Sequence, residues 1–287
     1  MNAVNSVMRG LFDVLMTPFE LLGAAWALVL GSGIAGILAL IVFKHISWQA
    51  GIKGVKDKIK GNMIAIRIYQ DDLVIVARSV INVLLRNFQY LGLNFGPILP
   101  LLAPFALVLA QFVVRYAYDP LPVVPAAQAA EMMSGEGTMI TIEMKPGQES
   151  QAADLDVTLP EGLVAITPLV RSGATGKAFL EVVATESVRG DIEILVGNTV
   201  VGTKAIVAGD EPTRTMQPRR TNSFWWSWLL PAEDTFEADG PLQDVTFLYP
   251  SRDLGWLPGG EGGIVLVFLL ASMAFGAAML KPLKIQI

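Results

Sequence analysis

Leu21-Leu22-Gly23-Ala24-Ala25-Trp26-Ala27-Leu28-Val29-Leu30-Gly31-Ser32-Gly33-Ile34-Ala35-Gly36-Ile37-Leu38-Ala39-Leu40-Ile41-Val42-Phe43 is a run of 23 residues without a charge. A helix of about 20 apolar residues crosses a hydrocarbon core of about 30 Å, so this run is long enough to span. Two others match it: residues 91–114, 24 residues without a charge, and residues 262–280, 19 residues without a charge. One such run could be a buried helix of a soluble protein, but three in 287 residues argue for spans. The composition agrees, with 53% hydrophobic residues, 16% charged and a mean hydropathy of +0.51. The expected fold is an α-helical membrane protein with three transmembrane helices, at 21–43, 91–115 and 262–280.

Charge orients these spans. Residues 44–90 carry eight Lys/Arg against three Asp, whereas residues 91–261 carry ten Lys/Arg against twenty-one Asp/Glu. Basic residues near span ends stay cytoplasmic. Segment 44–90 and the tail 281–287, with Lys281 and Lys284, are therefore expected inside. The N-terminus and the acidic region are expected outside, and three spans alternate sides in the same order. The expected location is the plasma (inner) membrane of a bacterium.

Residues 1–20 do not read as a cleaved signal. Val7, Leu11 and Leu15 form one helical stripe with Met8, Phe12 and Met16 beside it, and Arg9 and Asp13 form an i,i+4 pair on another face. Thr17-Pro18 is expected to end this short amphipathic helix, which would lie in the outer interface. In the first span Gly23, Ala27, Gly31, Ala35 and Ala39 recur every four residues, a ridge of small side chains that lets another helix approach closely. The same stretch spells G-x-G-x-x-G over residues 31–36. It lies inside a span and not at a strand-to-helix turn, so helix packing explains it and dinucleotide binding does not.

Residues 61–90 read as one amphipathic helix. Arg67 and Asp71 form an i,i+4 pair, and Arg78, Asn82, Arg86 and Gln89 continue a polar stripe on an otherwise apolar circumference. Upstream, Lys53, Lys56, Lys58 and Lys60 suit anionic lipid headgroups. Two readings stay open for Arg78 and Arg86: arginines that snorkel to water from an interfacial helix, or cations lining a wet groove. Pro97, Pro100 and Pro104 are expected to weaken the cytoplasmic end of the second span and to free backbone carbonyls there, which favours a polar recess on that side.

Val83-Leu84-Leu85-Arg86-Asn87-Phe88-Gln89-Tyr90, running into Phe95-Gly96-Pro97-Ile98-Leu99-Pro100, resembles the approach to the second span in the three-span branch of the YidC/Oxa-type insertase superfamily. The layout is similar too: an outside N-terminus, one span, a basic cytoplasmic helical segment, two further spans and an inside C-terminus. The resemblance covers residues 20–117 and the last span. It implies a protein that moves hydrophobic segments into the bilayer through a hydrophilic groove open to the cytoplasm and carrying a positive residue. Here that cation would be Arg78 or Arg86, with Asn82 beside it. Residues 116–261 stand where that branch has a short loop.

Residues 116–137 read as a linker. From Thr138 the period becomes two, with β-branched runs at 138–144, 154–159, 163–170, 178–185, 191–196 and 200–207 separated by Gly- and Pro-containing turns. Residues 138–209 are therefore expected to form an extracytoplasmic all-β domain, an Ig-like sandwich. Residues 210–261 form an aromatic-rich extension, in which Trp225, Trp226, Trp228 and Trp256 are expected in an interfacial belt; a binding platform is the other reading.

Chemistry is constrained by absences. There is no cysteine, and the single histidine, His45, has no second His or Cys to complete a metal site. Asp154, Asp156 and Glu161 lack calcium-loop spacing, and no nucleophile–base pair or phosphate-cradling loop can be named. The expectation is no catalytic residue, no metal, no cofactor and no nucleic acid. The partners expected are the lipid bilayer and either hydrophobic client segments or other subunits of a membrane complex. Two functions compete: an insertase-like or chaperone-like membrane protein, and a non-catalytic scaffold whose outer domain binds a partner.

Overall fold

A computed structural model describes residues 2–285. The chain divides into two compact units, residues 29–108 with 268–287, and residues 1–28 with 109–267. Three helices are long and apolar enough to cross a membrane: α2 (Ala24–Ile46), α4 (Leu73–Tyr116) and α7 (Gly260–Met279). Between α2 and α4 lies α3 (Gln49–Ile68), and α1 (Asn2–Glu20) precedes them all.

The first unit is helical. The single helix expected over 61–90 is instead the end of α3 and the start of α4, separated by a turn at residues 69–72. Asp72 makes the restart, because its Oδ1 accepts from the Val74 and Ile75 amides at 3.0 and 3.1 Å and so satisfies donors at the first turn. Arg67 consequently lies in α3 and Asp71 in the turn, both exposed, and they are not an intrahelical pair. The Lys56 ammonium lies 5.7 Å from the centre of the Tyr90 ring, so α3 folds back along α4. Helix α4 holds 44 residues, or about 66 Å at 1.5 Å per residue, far more than a bilayer requires. It stays helical through Pro97, Pro100 and Pro104. The expected interruption does not occur, although each proline still lacks the N–H that the carbonyl four residues earlier would use.

α7 packs on α2 where side chains are smallest. A Cβ at Gly36 would fall on the Ser272 backbone, and one at Gly33 would enter the Phe275 ring. Phe105 of α4 meets Phe268 of α7 with ring centres 4.6 Å apart.

The second unit combines α1, the end of α4 and a β-rich domain. Its strands are β1 (Thr138–Met144), β2 (Leu155–Thr158), β3 (Leu163–Ala165), β4 (Val170–Ser172), β5 (Lys177–Ala184), β6 (Val188–Val196), β7 (Thr199–Ala208), β8 (Arg219–Thr221) and β9 (Leu242–Thr246). Short helices α5 (Ala126–Ala129) and α6 (Trp226–Leu229) lie in the connections. The strands form two antiparallel sheets: β3-β5-β1-β9-β8, with β4 also on β5, and β2-β6-β7. Ile140, Ile142 and Met144 alternate inward on β1 and face the core with Leu180 and Val182 of β5 and Ile192, Ile194 and Ile206 of the smaller sheet.

The domain is larger than the strand pattern indicated. Residues 210–261 are not an appendage: β9 pairs with β1 and β8 pairs with β9, completing the larger sheet. Nor is 116–137 a free linker, since Leu121 bridges Ala208, Val123 bridges Ala184, and the Asp119 amide donates to the Pro250 carbonyl at 2.9 Å. The run expected at 163–170 splits into β3 and β4, both paired to β5.

α1 belongs to this unit and continues past Thr17-Pro18 to Glu20. The expected Arg9–Asp13 pair is replaced by contacts to other segments. Arg9 donates to the Ala232 carbonyl and pairs with Asp234, and Asp13 accepts from Arg115 at 2.6 Å. Asn5 donates to the Ser227 carbonyl at 2.9 Å. One face of α1, with Asn5, Phe12 and Met16, is thereby buried, while Val4, Val7, Leu11, Val14 and Leu15 remain exposed.

The exposed edge of β7 is covered almost entirely by side chains. Arg220 donates to Thr203 O, Glu233 accepts from the Ala205 amide, Lys204 donates to Ala205 O, and the Tyr249 hydroxyl accepts from the Val207 amide. Leu121 N completes the row on Val207 O. A strand edge with its donors and acceptors already used cannot template another chain.

Candidate functional site

Helix α4 holds five polar residues on a side little open to solvent, while Arg78, Asn87 and Gln89 are exposed. Ser79 and Asn94 are buried, and Asn82, Arg86 and Tyr90 are half-buried. These five lie three or four positions apart and so share one face. Between them Ile81, Leu84, Leu85, Phe88, Leu91 and Phe95 are exposed. A water-soluble helix hides its apolar face and presents its polar one; here a polar stripe lies inward and a largely apolar surface, interrupted by Asn87 and Gln89, lies outward.

Arg86 donates to Gln89 Oε1 at 2.7 Å. Asn82 sits one turn before it. Arg78 is exposed and Arg86 half-buried, with its guanidinium on the exposed Gln89. Ser79, Tyr90 and Asn94 escaped the sequence reading, although their three- and four-residue spacing from Asn82 and Arg86 carried the signal.

The small residues of the first span have separate fates. Ala27 and Gly31 are buried, and Ala35 and Ala39 are half-buried. Gly23 has φ +94° and no atom near its would-be Cβ, so its freedom serves the turn from α1 into α2. The close approach of α7 falls on Gly33, against the Phe275 ring, and on Gly36, against the Ser272 backbone, both members of the G-x-G-x-x-G run but neither on the four-residue ridge.

Trp225, Trp226 and Trp256 are exposed, and Trp228 is half-buried. Trp256 meets Trp26, at the start of α2, with ring centres 5.5 Å apart. The guanidinium of Arg219 lies 4.8 Å from the Trp226 ring centre.

At the other end of α4, Gln111 and Arg115 are almost fully buried. Arg115 Nη2 reaches Asp13 and the Arg9 carbonyl, while its Nε and Nη1 and the Gln111 Oε1 have no hydrogen-bond partner among the described residues. Gln111 was hidden inside a charge-free run. Close by, Tyr118 donates to Glu261 at 2.6 Å; burial first, and then this carboxylate, pushes the phenol pKa up. Among the described residues no group of three or more His, Cys, Asp or Glu could hold a metal.

Comparison with protein-family models, with curated proteins and with solved structures gives no match to this chain.

Proposed function

We propose that this chain is a non-enzymatic, insertase-like or chaperone-like membrane protein that receives apolar polypeptide segments along the polar face of α4. In this reading the face opens to the cytoplasm, the N-terminus and the β-domain are extracytoplasmic, and the two-sheet domain is an Ig-like sandwich that contacts a client or partner. The membrane is a bacterial plasma membrane.

The observation that carries the reading is the inward polar stripe of α4. Polar groups kept at or near membrane depth cost free energy and persist where they serve a pathway or a partner. Ser79, Asn82, Arg86, Tyr90 and Asn94 supply five such groups on one face. A snorkelling arginine would instead extend away from its neighbours to water; the exposed Arg78 fits that role better than the half-buried Arg86. A scaffold subunit is the competing function. Its docking ridge would have to share the first span with α7, which already occupies Gly33 and Gly36.

The test places a photocrosslinker at Asn82 and follows capture of nascent membrane proteins. Arg86→Ala is expected to lower capture while membrane integration of the protein survives, and Arg78→Ala is expected to change little. Unchanged capture in both variants would leave the scaffold as the better function.

A further inference from the structure

We infer that the outward face of α1 is a lipid-docking surface through which the β-domain is seated on the outer leaflet of the bilayer, with no demand on headgroup charge. This role is separate from the route proposed along α4 and does not depend on it.

An interfacial helix that lies alone on a membrane turns its charges to water and its apolar side to lipid. α1 keeps its charges on the other side for a different purpose. Arg9 reaches the Ala232 carbonyl and Asp234, Asp13 pairs with Arg115, and Glu20 accepts from the Tyr116 hydroxyl and pairs with Arg214. All three charges of the helix are therefore held by protein. Asn2 and Asn5 complete the attachment, on the Thr235 amide and the Ser227 carbonyl. The residues of α1 that stay exposed include no charge. Val7 and Val14 are 71% and 75% exposed, and Val4, Leu11 and Leu15 are about half exposed. Their three- and four-residue spacing puts them on one face, and an apolar face of this kind marks a protein or membrane contact.

Two observations select lipid. First, the apolar exposure does not stop with α1. Only residues 21–23 separate it from α2, which is long and apolar enough to cross a membrane. Leu21 and Leu22 in that connection are 85% and 59% exposed, and Trp26 follows at 50%. Lipid covers such a surface without a break. Second, a protein interface carries roughly one hydrogen bond per 100–200 Å², and the face is poor in groups to make them. Its side-chain hydroxyls are Ser6 and Thr17, and Thr17 is already engaged with the Asp13 carbonyl and Arg214. The absence of Lys and Arg from the face removes the attraction to anionic headgroups that suits the lysines of α3.

The chain has no cysteine, so one introduced thiol can carry an environment-sensitive dye. Val7→Cys and Val14→Cys, each labelled with nitrobenzoxadiazole, are reconstituted as full-length protein in phosphatidylcholine vesicles. Asn198→Cys, exposed in the turn between β6 and β7, is the aqueous reference. Emission from positions 7 and 14 should shift to the blue, resist iodide, and be quenched more by lipid with a nitroxide high on the acyl chain than by one near its end. Position 198 should be quenched by iodide and not by either lipid. Adding phosphatidylglycerol should change none of this. Iodide quenching at 7 and 14 equal to that at 198 would leave the face in water and overturn the inference. A blue shift without nitroxide quenching would overturn it in favour of a second copy of the chain. Stronger quenching from the chain end would place α1 deeper than a surface helix, and quenching only with anionic lipid would remove the charge-independent contact; either also overturns it.

Discussion

Lys204 shows how much a single buried charge can be asked to do. Its ammonium is fully buried, donates to the Ala205 and Gln217 carbonyls and to Glu233, and lies 4.8 Å from the Phe247 ring centre. Burial pushes its pKa down, and Glu233 only partly opposes this. Removing one partner of a buried pair leaves an uncompensated charge, at a cost of about 3–5 kcal/mol. Glu233→Ala should therefore destabilise the β-domain strongly in denaturant titrations followed by tryptophan fluorescence. The double change Lys204→Met with Glu233→Leu should recover most of that loss. Equal damage from the single and double changes would show that the edge-strand hydrogen bond from Ala205 to Glu233, and not the charge, is what matters. The Glu181 pKa is lowered as well, but for a carboxyl that favours the charged form. Its carboxylate accepts from the Gly137 and Gly135 amides and from Ser134, and the Gly137 bond chiefly holds its pKa below the ordinary 4.5. A depressed carboxylate contributes stability that is complete above the unfolded pKa and is lost as pH falls through the folded one. Acid unfolding of the wild type should thus include a component below pH 4.5. Glu181→Gln should lack it and should free the 134–137 loop to proteolysis.

At the level of elements, the seam between α2 and α7 and the edge of β7 make separate claims. Gly36→Leu drives a side chain into the Ser272 backbone, and such overpacking costs about 1–3 kcal/mol or more. Gly92→Ala, with nothing within 4 Å of the new Cβ, should not destabilise and gains helix propensity. The thermal midpoint of the detergent-solubilised protein should fall for the first and hold or rise for the second; equal falls would remove the case for a specific seam. At β7, Tyr249→Phe leaves the Val207 amide without its cap, a loss of about 1–3 kcal/mol. These elements also mark where the sequence was readable. The three long apolar helices were legible because a long apolar run has few soluble alternatives, and β1 was legible to the residue because Ile140, Ile142 and Met144 alternate with Thr and Glu. The membership of β8 and β9 was not, since Arg219–Thr221 and Leu242–Thr246 are short and flanked by aromatics. The persistence of α4 through three prolines was not legible either. Proline propensity is a local quantity, and each proline here removes one donor without ending the helix. Of the candidate site, Arg86 and Asn82 could be found by spacing, whereas the burial of Asn94 depends on which side of α4 faces its neighbours.

For the molecule as a whole, the proposed sidedness rests on charge. The segment between the first two spans carries a basic excess and the region between the second and third an acidic one, and the insertion rule counts basic residues close to span ends. Lys53, Lys56, Lys58 and Lys60 all lie on α3, which follows α2 after only two residues, so they act where the rule is strongest. The β-domain is long enough that its own charge exerts little control over orientation, and it is carried to whichever side the helices dictate. This makes the orientation testable at two points without disturbing either unit. The chain has no cysteine, so a single introduced thiol reports without background. Lys58→Cys lies on an exposed turn of α3, and Ala238→Cys on an exposed connection of the β-domain. With a membrane-impermeant maleimide on intact spheroplasts, Ala238→Cys should label at once, and Lys58→Cys only after the membrane is opened. Labelling in the reverse order would invert the topology and move the polar face of α4 to the outside, where a route for segments arriving from the cytoplasm could not begin. Reversing the basic excess, with Lys53, Lys56, Lys58 and Lys60 all changed to Glu, should bring a fraction of the molecules into that inverted orientation, visible as early labelling of a thiol at position 58 in the same background.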